Sequence, residues 1–231
     1  IIIYLILGSK NKLKRFEQNS SFSNVIQPSR DELIEGKFEF KGKWRSYFNN
    51  ENPIVVELGC GKGEYTVALA QRNTSKNFIG VDIKGARLWR GAKTALEKNL
   101  ENVAFLRTQI ELIDLIFSEN EVDEIWITFP DPQIKYKRTK HRMTNSEFLE
   151  RYKKILKPEG VVNLKTDSEF MHGYTLGLLH GAGHEVLYAN HDVYKNEGSP
   201  EEVIGIQTFY ESQYLEQNKP ITYIRFKIKS Y

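Results

Sequence analysis

Glu57 closes the apolar run Ile54-Val55-Val56 and opens a glycine-dense turn, Leu58-Gly59-Cys60-Gly61-Lys62-Gly63; a second apolar run, Ile79-Gly80-Val81, then ends in Asp82. A β-branched run feeding closely spaced glycines, with an acid about twenty residues further on, is the pattern of a cradle for a nucleotide-type cofactor. Glycine suits such a turn because its dihedrals are unusual and because a ligand must approach the backbone where a Cβ would collide. Asp82, at the tip of the second strand, is placed to accept hydrogen bonds from two ribose hydroxyls. A third acid, Asp131, stands between Pro130 and Pro132 after the run Ile125 to Phe129, and Lys135, Lys137, Arg138, Lys140, His141 and Arg142 follow it closely. Proline on both sides stiffens the backbone around that carboxylate.

The glycine spacing separates two ligand classes. A dinucleotide fingerprint reads G-x-G-x-x-G and aims a helix N-terminus at a pyrophosphate, whereas this chain reads E-x-G-x-G-x-G from Glu57 to Gly63. An acid is a poor neighbour for a pyrophosphate and a good one for a cation. The pattern resembles motif I of the class I S-adenosylmethionine-dependent methyltransferases, whose ligand carries an ammonium and a sulfonium.

The elements that must position these residues alternate along the chain. Strand-length apolar runs at 54–58, 78–82, 102–106, 122–128 and 160–165 are separated or followed by helical stretches near 64–72, 84–99, 145–156 and 168–180, which predicts a doubly wound parallel sheet. Two later runs, 185–189 and 221–228, extend it. In an open sheet of this kind ligands sit beyond the carboxyl ends of the strands, so Asp131 is expected to face the same crevice as Glu57 and Asp82. The segment before residue 53 is polar and basic in Lys10-Asn11-Lys12-Leu13-Lys14-Arg15 and reads as an irregular arm.

Taken in order, Glu57-Leu58-Gly59-Cys60-Gly61, Phe129-Pro130-Asp131-Pro132, Lys135 with its basic run, Leu156-Lys157-Pro158, Lys165-Thr166-Asp167 and Thr208-Phe209-Tyr210-Glu211 resemble the bacterial tRNA (guanine-N7)-methyltransferase family. The resemblance runs from about Gly8 to the last strand, and Gly8 to Phe16 is similar to the start of such proteins, which makes residues 1–7 an expected extension. It implies a Rossmann-like, doubly wound, seven-stranded, mostly parallel sheet with one antiparallel strand, residues 53–231 forming the methyltransferase domain and 1–52 an N-terminal extension and basic arm. It implies S-adenosylmethionine as cofactor, tRNA as partner and the variable-loop guanosine at position 46 as target. Glu57, Gly59, Gly61, Gly63, Asp82, Gln109 and Asp131 fall at cofactor positions. Lys135, Asp167, Thr208, Phe209, Tyr210 and Glu211 fall at positions that contact the target nucleoside. Three residues differ from the family's usual ones: Gln133 where tryptophan is common, Gln109 where asparagine or aspartate is, and Phe209 in place of a basic residue.

The chemistry fits on its own terms. Guanine N7 carries an in-plane lone pair and no proton, so its attack on a sulfonium methyl needs no general base. What is needed is in-line alignment, worth roughly 7–11 kcal/mol in favourable cases, and negative potential beside the forming purinium cation. Asp131 and Asp167 are the expected catalytic acids, orienting guanine through N1–H and N2–H, with Glu211 as a third acceptor and Thr208 as a hydroxyl. Pyrimidine C5 methylation, which uses a cysteine nucleophile, is closed because the one cysteine, Cys60, lies in the cofactor turn. Exocyclic amine methylation uses an Asn/Asp-Pro-Pro-aromatic grip that is absent, and a small-molecule substrate leaves the basic run unexplained. A tRNA-binding module with weak catalysis is the alternative from another class.

Lys137, Arg138, Lys140 and Arg142, with Lys12, Lys14 and Arg15 on a mobile arm, are expected to hold a phosphodiester backbone, the arm ordering on binding. Tyr136 and Phe209 are candidate stacking surfaces for a splayed base. The charge balance itself says little: 33 Lys and Arg against 30 Asp and Glu in 231 residues leave +3. One cysteine permits no internal disulfide or thiolate cluster and suits a reducing cytoplasm; the apolar opening 1–7 is too short to span a bilayer. His180 and His184 flank glycines and read as a helix end, with no metal expected. Trp44, Trp89 and Trp126 are read as packing anchors, and a monomer and a homodimer are both compatible with the sequence.

Overall fold

In the computed structural model the backbone is described for residues 2–229 and side chains for 12–229; the expectations on Lys10 and on the side chains of 1–7 lie outside the described residues. In chain order the elements are α1 (Ile2–Ser21), β1 (Val25–Ile26), α2 (Arg30–Ile34), α3 (Trp44–Phe48), β2 (Ile54–Leu58), α4 (Glu64–Arg72), β3 (Asn77–Val81), α5 (Gly85–Glu97), β4 (Val103–Leu106), α6 (Ile113–Ile116), β5 (Val122–Thr128), α7 (Ser146–Ile155), β6 (Leu156–Thr166), α8 (Glu169–Gly181), β7 (Glu185–Asn190), α9 (Glu201–Ile204), α10 (Phe209–Glu216) and β8 (Thr222–Lys227). Tight 3-10 turns at Ile110–Leu112 and Tyr136–His141 complete the connections.

The strands form one sheet in the order β1-β4-β3-β2-β5-β6-β8-β7, parallel except for β8, which runs antiparallel to both β6 and β7. Seven strands are the doubly wound sheet that the sequence predicts, and β1 adds an eighth by pairing Val25 and Ile26 with Phe105 and Leu106 of β4. Every residue of β2, β3 and β4 is buried, which is why they read as continuous apolar runs rather than alternating ones. Alternation sends Val56 and Leu58 into a core shared with α6, α7 and α8, and Val55 into a second core against α4 and α5. The chain leaves β2 toward β3 on one side and returns to β5 on the other, so the crevice opens between the carboxyl ends of β2 and β5.

The segment before residue 53 departs from the expected irregular arm. α1 is a 20-residue helix lying along α5, with Asn19 Nδ2 donating to the Gly85 carbonyl at 2.8 Å and Trp89 Nε1 donating to Gln18 Oε1 at 2.8 Å. Arg15 stacks its guanidinium 4.8 Å from the centre of the Trp89 ring. Leu33, Phe38, Trp44 and Phe48 join the main core. The helix was hidden because only a narrow stripe of it is covered, so the apolar period is faint between the polar residues. Trp44 and Trp126 are core residues as expected, whereas Trp89 is half-buried and joins two helices.

α8 ends at Gly181 and the chain turns through Gly183 at φ +68°, with His184 Nδ1 accepting from the Lys229 amide at 3.3 Å, the helix end that the glycines predict. No described helix is long and apolar enough to cross a membrane.

Candidate active site

The glycine turn is pinned from both sides. The amides of Gly59 and Cys60 donate to the Val81 carbonyl at 2.8 and 3.1 Å, and the Gly61 amide donates to Asp82 Oδ2 at 2.9 Å. Gly59, Gly61 and Gly63 all have positive φ, between 56° and 76°. A Cβ on Gly63 would lie 2.5 Å from Cε1 of Phe105, so the first residue before α4 is closed to any side chain. Asp82 Oδ1 accepts from the Lys84 amide at 2.7 Å, and each of its oxygens keeps a lone pair free for a diol.

Glu57 is buried at the end of β2 and accepts hydrogen bonds from Thr66 N at 2.8 Å, from the Thr66 hydroxyl, and from Thr128 Oγ1 at 2.5 Å. Burial pushes its carboxyl up to about 7, against the three donors that favour the carboxylate. Thr66, in the first turn of α4, and Thr128, the last residue of β5, were not legible as site residues, because a hydroxyl side chain at either place is common.

Two cavities meet at Gly59. One, of about 440 Å³, is lined by Gly59, Asp82, Gln109, Asp131, Gln133 and Met143 among others; a smaller one of about 110 Å³ is lined by Glu57, Gly61, Lys62, Phe129, Thr208 and Tyr210 among others. Asp82, Gln109 and Asp131 thus face one crevice, with Glu57 in the chamber beside it. Asp131, with Gln133 and Arg138, also borders a shallow depression that includes Lys135. The Pro130-Asp131-Pro132 segment is held between two left-handed residues, Phe129 and Gln133, both at φ 48°. Non-glycine residues rarely adopt that conformation. Two bonds keep it: the Phe129 amide donates to the Lys165 carbonyl at 2.8 Å and the Gln133 amide donates to Asp131 Oδ1 at 3.0 Å.

Asp167 follows β6, one strand over from Asp131, and burial raises its carboxyl above the ordinary range, with Lys219 opposing. Thr208 and Glu211 form the capping box of α10, the Glu211 amide donating to Thr208 Oγ1 at 3.2 Å and the Thr208 amide to Glu211 Oε2 at 3.3 Å. Glu211 is completely buried and its other oxygen lies 2.6 Å from Lys165 Nζ. Its complete burial leaves no side-chain surface for a base to meet, which corrects the expectation of Glu211 as a third acceptor for guanine. Phe209 and Tyr210 stay partly exposed, and Lys62 Nζ sits 4.4 Å from the Phe209 ring centre.

The basic run divides. Lys135, Lys137, Arg138 and Lys140 are exposed, and Tyr136 is 92 % exposed. Arg142 is 6 % exposed: its Nε and Nη2 donate to the carbonyls of Gln133 and Ile134 at 3.2 Å each, and its guanidinium lies 4.5 Å from the Tyr174 ring centre. It is a fastener of the Asp131 loop, which corrects its expected contact with phosphate. Lys12, Lys14 and Arg15 are exposed on α1.

Residues 51–224 match the family described as putative methyltransferase. The crystal structure of the 16S rRNA methyltransferase KamB aligns with a TM-score of 0.62 at 15% identity, covering 82% of this chain and 94% of that one. A SAM-dependent methyltransferase from Aquifex aeolicus gives a TM-score of 0.53 at 15% identity over 93% and 97%. Fold and site together define a class I S-adenosylmethionine-dependent methyltransferase. The tRNA (guanine-N(7)-)-methyltransferase of Christiangramia forsetii is 74% identical over 96% of this chain and 100% of its own, and that of Bacteroides fragilis 48% over 94% and 85%. This chain belongs to the tRNA (guanine-N7)-methyltransferase family.

Proposed function

We propose that this chain transfers the methyl group of S-adenosylmethionine to N7 of a guanosine in tRNA, the variable-loop guanosine at position 46. The observation that carries the reading is the place of Asp131, on the boundary between the Asp82 cavity and the depression beside Lys135. An acid there touches cofactor on one side and an incoming base on the other. The family membership agrees with it.

The residues fit the cofactor. Asp82 offers two lone pairs to a ribose, Gln109 lines the same cavity, and Glu57 supplies negative charge beside the chamber that suits an ammonium tail. The positive-φ glycines keep the turn open where a Cβ would intrude. When bound, S-adenosylmethionine supplies an electrophilic methyl on a sulfonium.

The chain's own part is placement and field. Asp131 and Asp167 orient guanine through its N–H donors and oppose the positive charge that grows on the ring as N7 gives up its lone pair. No group needs to remove a proton before transfer. Lys135, Lys137, Arg138 and Lys140 hold the phosphodiester chain beside the pocket, with Lys12, Lys14 and Arg15 as a second, helix-borne bank, and Tyr136 and Phe209 offer π faces.

The test is to methylate unmodified tRNA transcripts with labelled cofactor and to cleave at N7-methylguanosine with borohydride and aniline. One cleavage, in the variable loop, is expected. Cleavage elsewhere would reassign the target, and binding of cofactor and tRNA without any label would favour a binding module.

A further inference from the structure

Lys165 and Glu211 are both 0 % exposed, and Lys165 Nζ makes three contacts: 2.6 Å to Glu211 Oε1, 2.5 Å to the Val203 carbonyl and 2.9 Å to the Ile206 carbonyl. Three acceptors satisfy the three protons of an ammonium. Glu211 is equally committed, since Oε1 also accepts from Tyr194 OH at 2.7 Å and Oε2 closes the capping box with Thr208. The Lys165 carbonyl accepts from the amide of Phe129, which turns the chain at φ 48° into Asp131. Two residues after Lys165 comes Asp167. One enclosed lysine is thus joined to the three segments that carry the expected guanosine contacts.

A buried ion pair is a weak source of stability, because removing two charges from water offsets most of their attraction, and an apolar pair of similar volume often holds as well. What the pair adds is direction. An ammonium with three fixed acceptors cannot rotate freely, so it sets where 203–206 and the first turn of α10 lie over the sheet.

We propose that Lys165 is a positioning residue for methyl transfer: through Glu211 it fixes the Thr208–Tyr210 turn, and through its carbonyl the Phe129 turn, relative to Asp167. The inference rests on the proposed function, in which those segments face the guanosine. Glu211 then acts on the substrate only through the turn it holds.

The test uses the full chain and the variants Lys165→Met, Glu211→Gln and the double variant, with single-turnover methylation of a tRNA transcript, calorimetric titration with S-adenosylhomocysteine, and amide exchange over 203–211. Glu211→Gln keeps the shape and an acceptor for Lys165, but its amide nitrogen turns a donor toward the Thr208 amide and the buried ammonium loses its counter-charge, so it should slow transfer by about tenfold. Lys165→Met strands a buried carboxylate and should slow it by about a hundredfold, with faster exchange over 203–211. In the double variant no charge is stranded, so the rate should recover to about that of Glu211→Gln. A Lys165→Met rate within about threefold of the parent, or a folded double variant no faster than Lys165→Met, overturns the proposal. Should Lys165→Met fail to fold, Tyr194→Phe decides: faster exchange over 203–211 with slower transfer at unchanged tRNA affinity supports it, and unchanged exchange overturns it. A parent that exchanges as expected but leaves tRNA unmethylated defeats the functional reading, whereas an active parent with indifferent variants defeats this inference alone.

Discussion

Thr128 Oγ1 donates to Glu57 Oε1 at 2.5 Å, tying together the carboxyl ends of β5 and β2 where the sheet order reverses. The bond favours the ionised carboxyl, while burial raises it to about 7. An ammonium binds the carboxylate, so cofactor affinity should rise with pH through 7, by at most about tenfold per unit below it. Thr128→Val removes one stabilising donor, should move that rise to higher pH, and should weaken binding at neutral pH by about five- to tenfold. Calorimetry across about pH 6–9 checks both. Without cofactor the sign reverses: a carboxyl whose folded value exceeds its unfolded one stabilises the fold below the ordinary carboxylate range, and that contribution is lost as pH climbs through about 7.

Gly63 sets a steric limit. Its φ of +68° and a Cβ position 2.5 Å from Phe105 Cε1 predict that Gly63→Ala destabilises the chain by about 3 kcal/mol, from overpacking and left-handed strain together. Gly173 has nothing within 4 Å and lies inside α8, so Gly173→Ala should stabilise by up to about 1 kcal/mol. Denaturant midpoints for the two variants should move in opposite directions.

Much of this was legible. The strand pattern emerged because β2 to β5 are buried on both faces, and the glycine turn because glycine adopts those dihedrals without the strain a side chain adds. What escaped depends on contacts distant in sequence. β1 is two residues long, α1 covers only a narrow stripe, and α9 and α10 lie in a stretch without clear period. The type of a side chain does not reveal its surroundings: Arg142 read like its exposed neighbours yet is buried, and Glu211 read as a ligand yet neutralises Lys165.

Arg142 and its neighbours should therefore separate in experiment. Neutralising Lys137, Arg138 and Lys140 together should weaken tRNA binding and flatten its salt dependence, by up to about 0.7–0.9 in log–log slope for each phosphate left without its cation, with a much smaller change in cofactor affinity. Arg142→Ala should instead lower thermal stability and loosen the Asp131 loop while the salt slope stays near that of the parent. Equal slopes for the triple variant and the parent would mean that the exposed cations do not meet phosphate.

Asp131→Asn and Asp167→Asn keep volume but remove negative charge, so each should lower the single-turnover rate by about a hundredfold or more with tRNA affinity largely retained. Because burial raises the Asp167 carboxyl, transfer should decline as pH falls through its elevated value. Asp167→Asn should abolish that part of the profile, and wild-type rates in both variants would remove these acids from the mechanism.

Replacing guanine N7 with carbon removes the proposed methyl acceptor itself. Two tRNA transcripts, one with guanosine and one with 7-deazaguanosine at the variable-loop position, are incubated with the enzyme and methyl-labelled S-adenosylmethionine, then digested for nucleoside mass analysis. N7-methylguanosine is expected from the first and no label in the second. Equal labelling of both, or label on any other atom, would contradict transfer to N7.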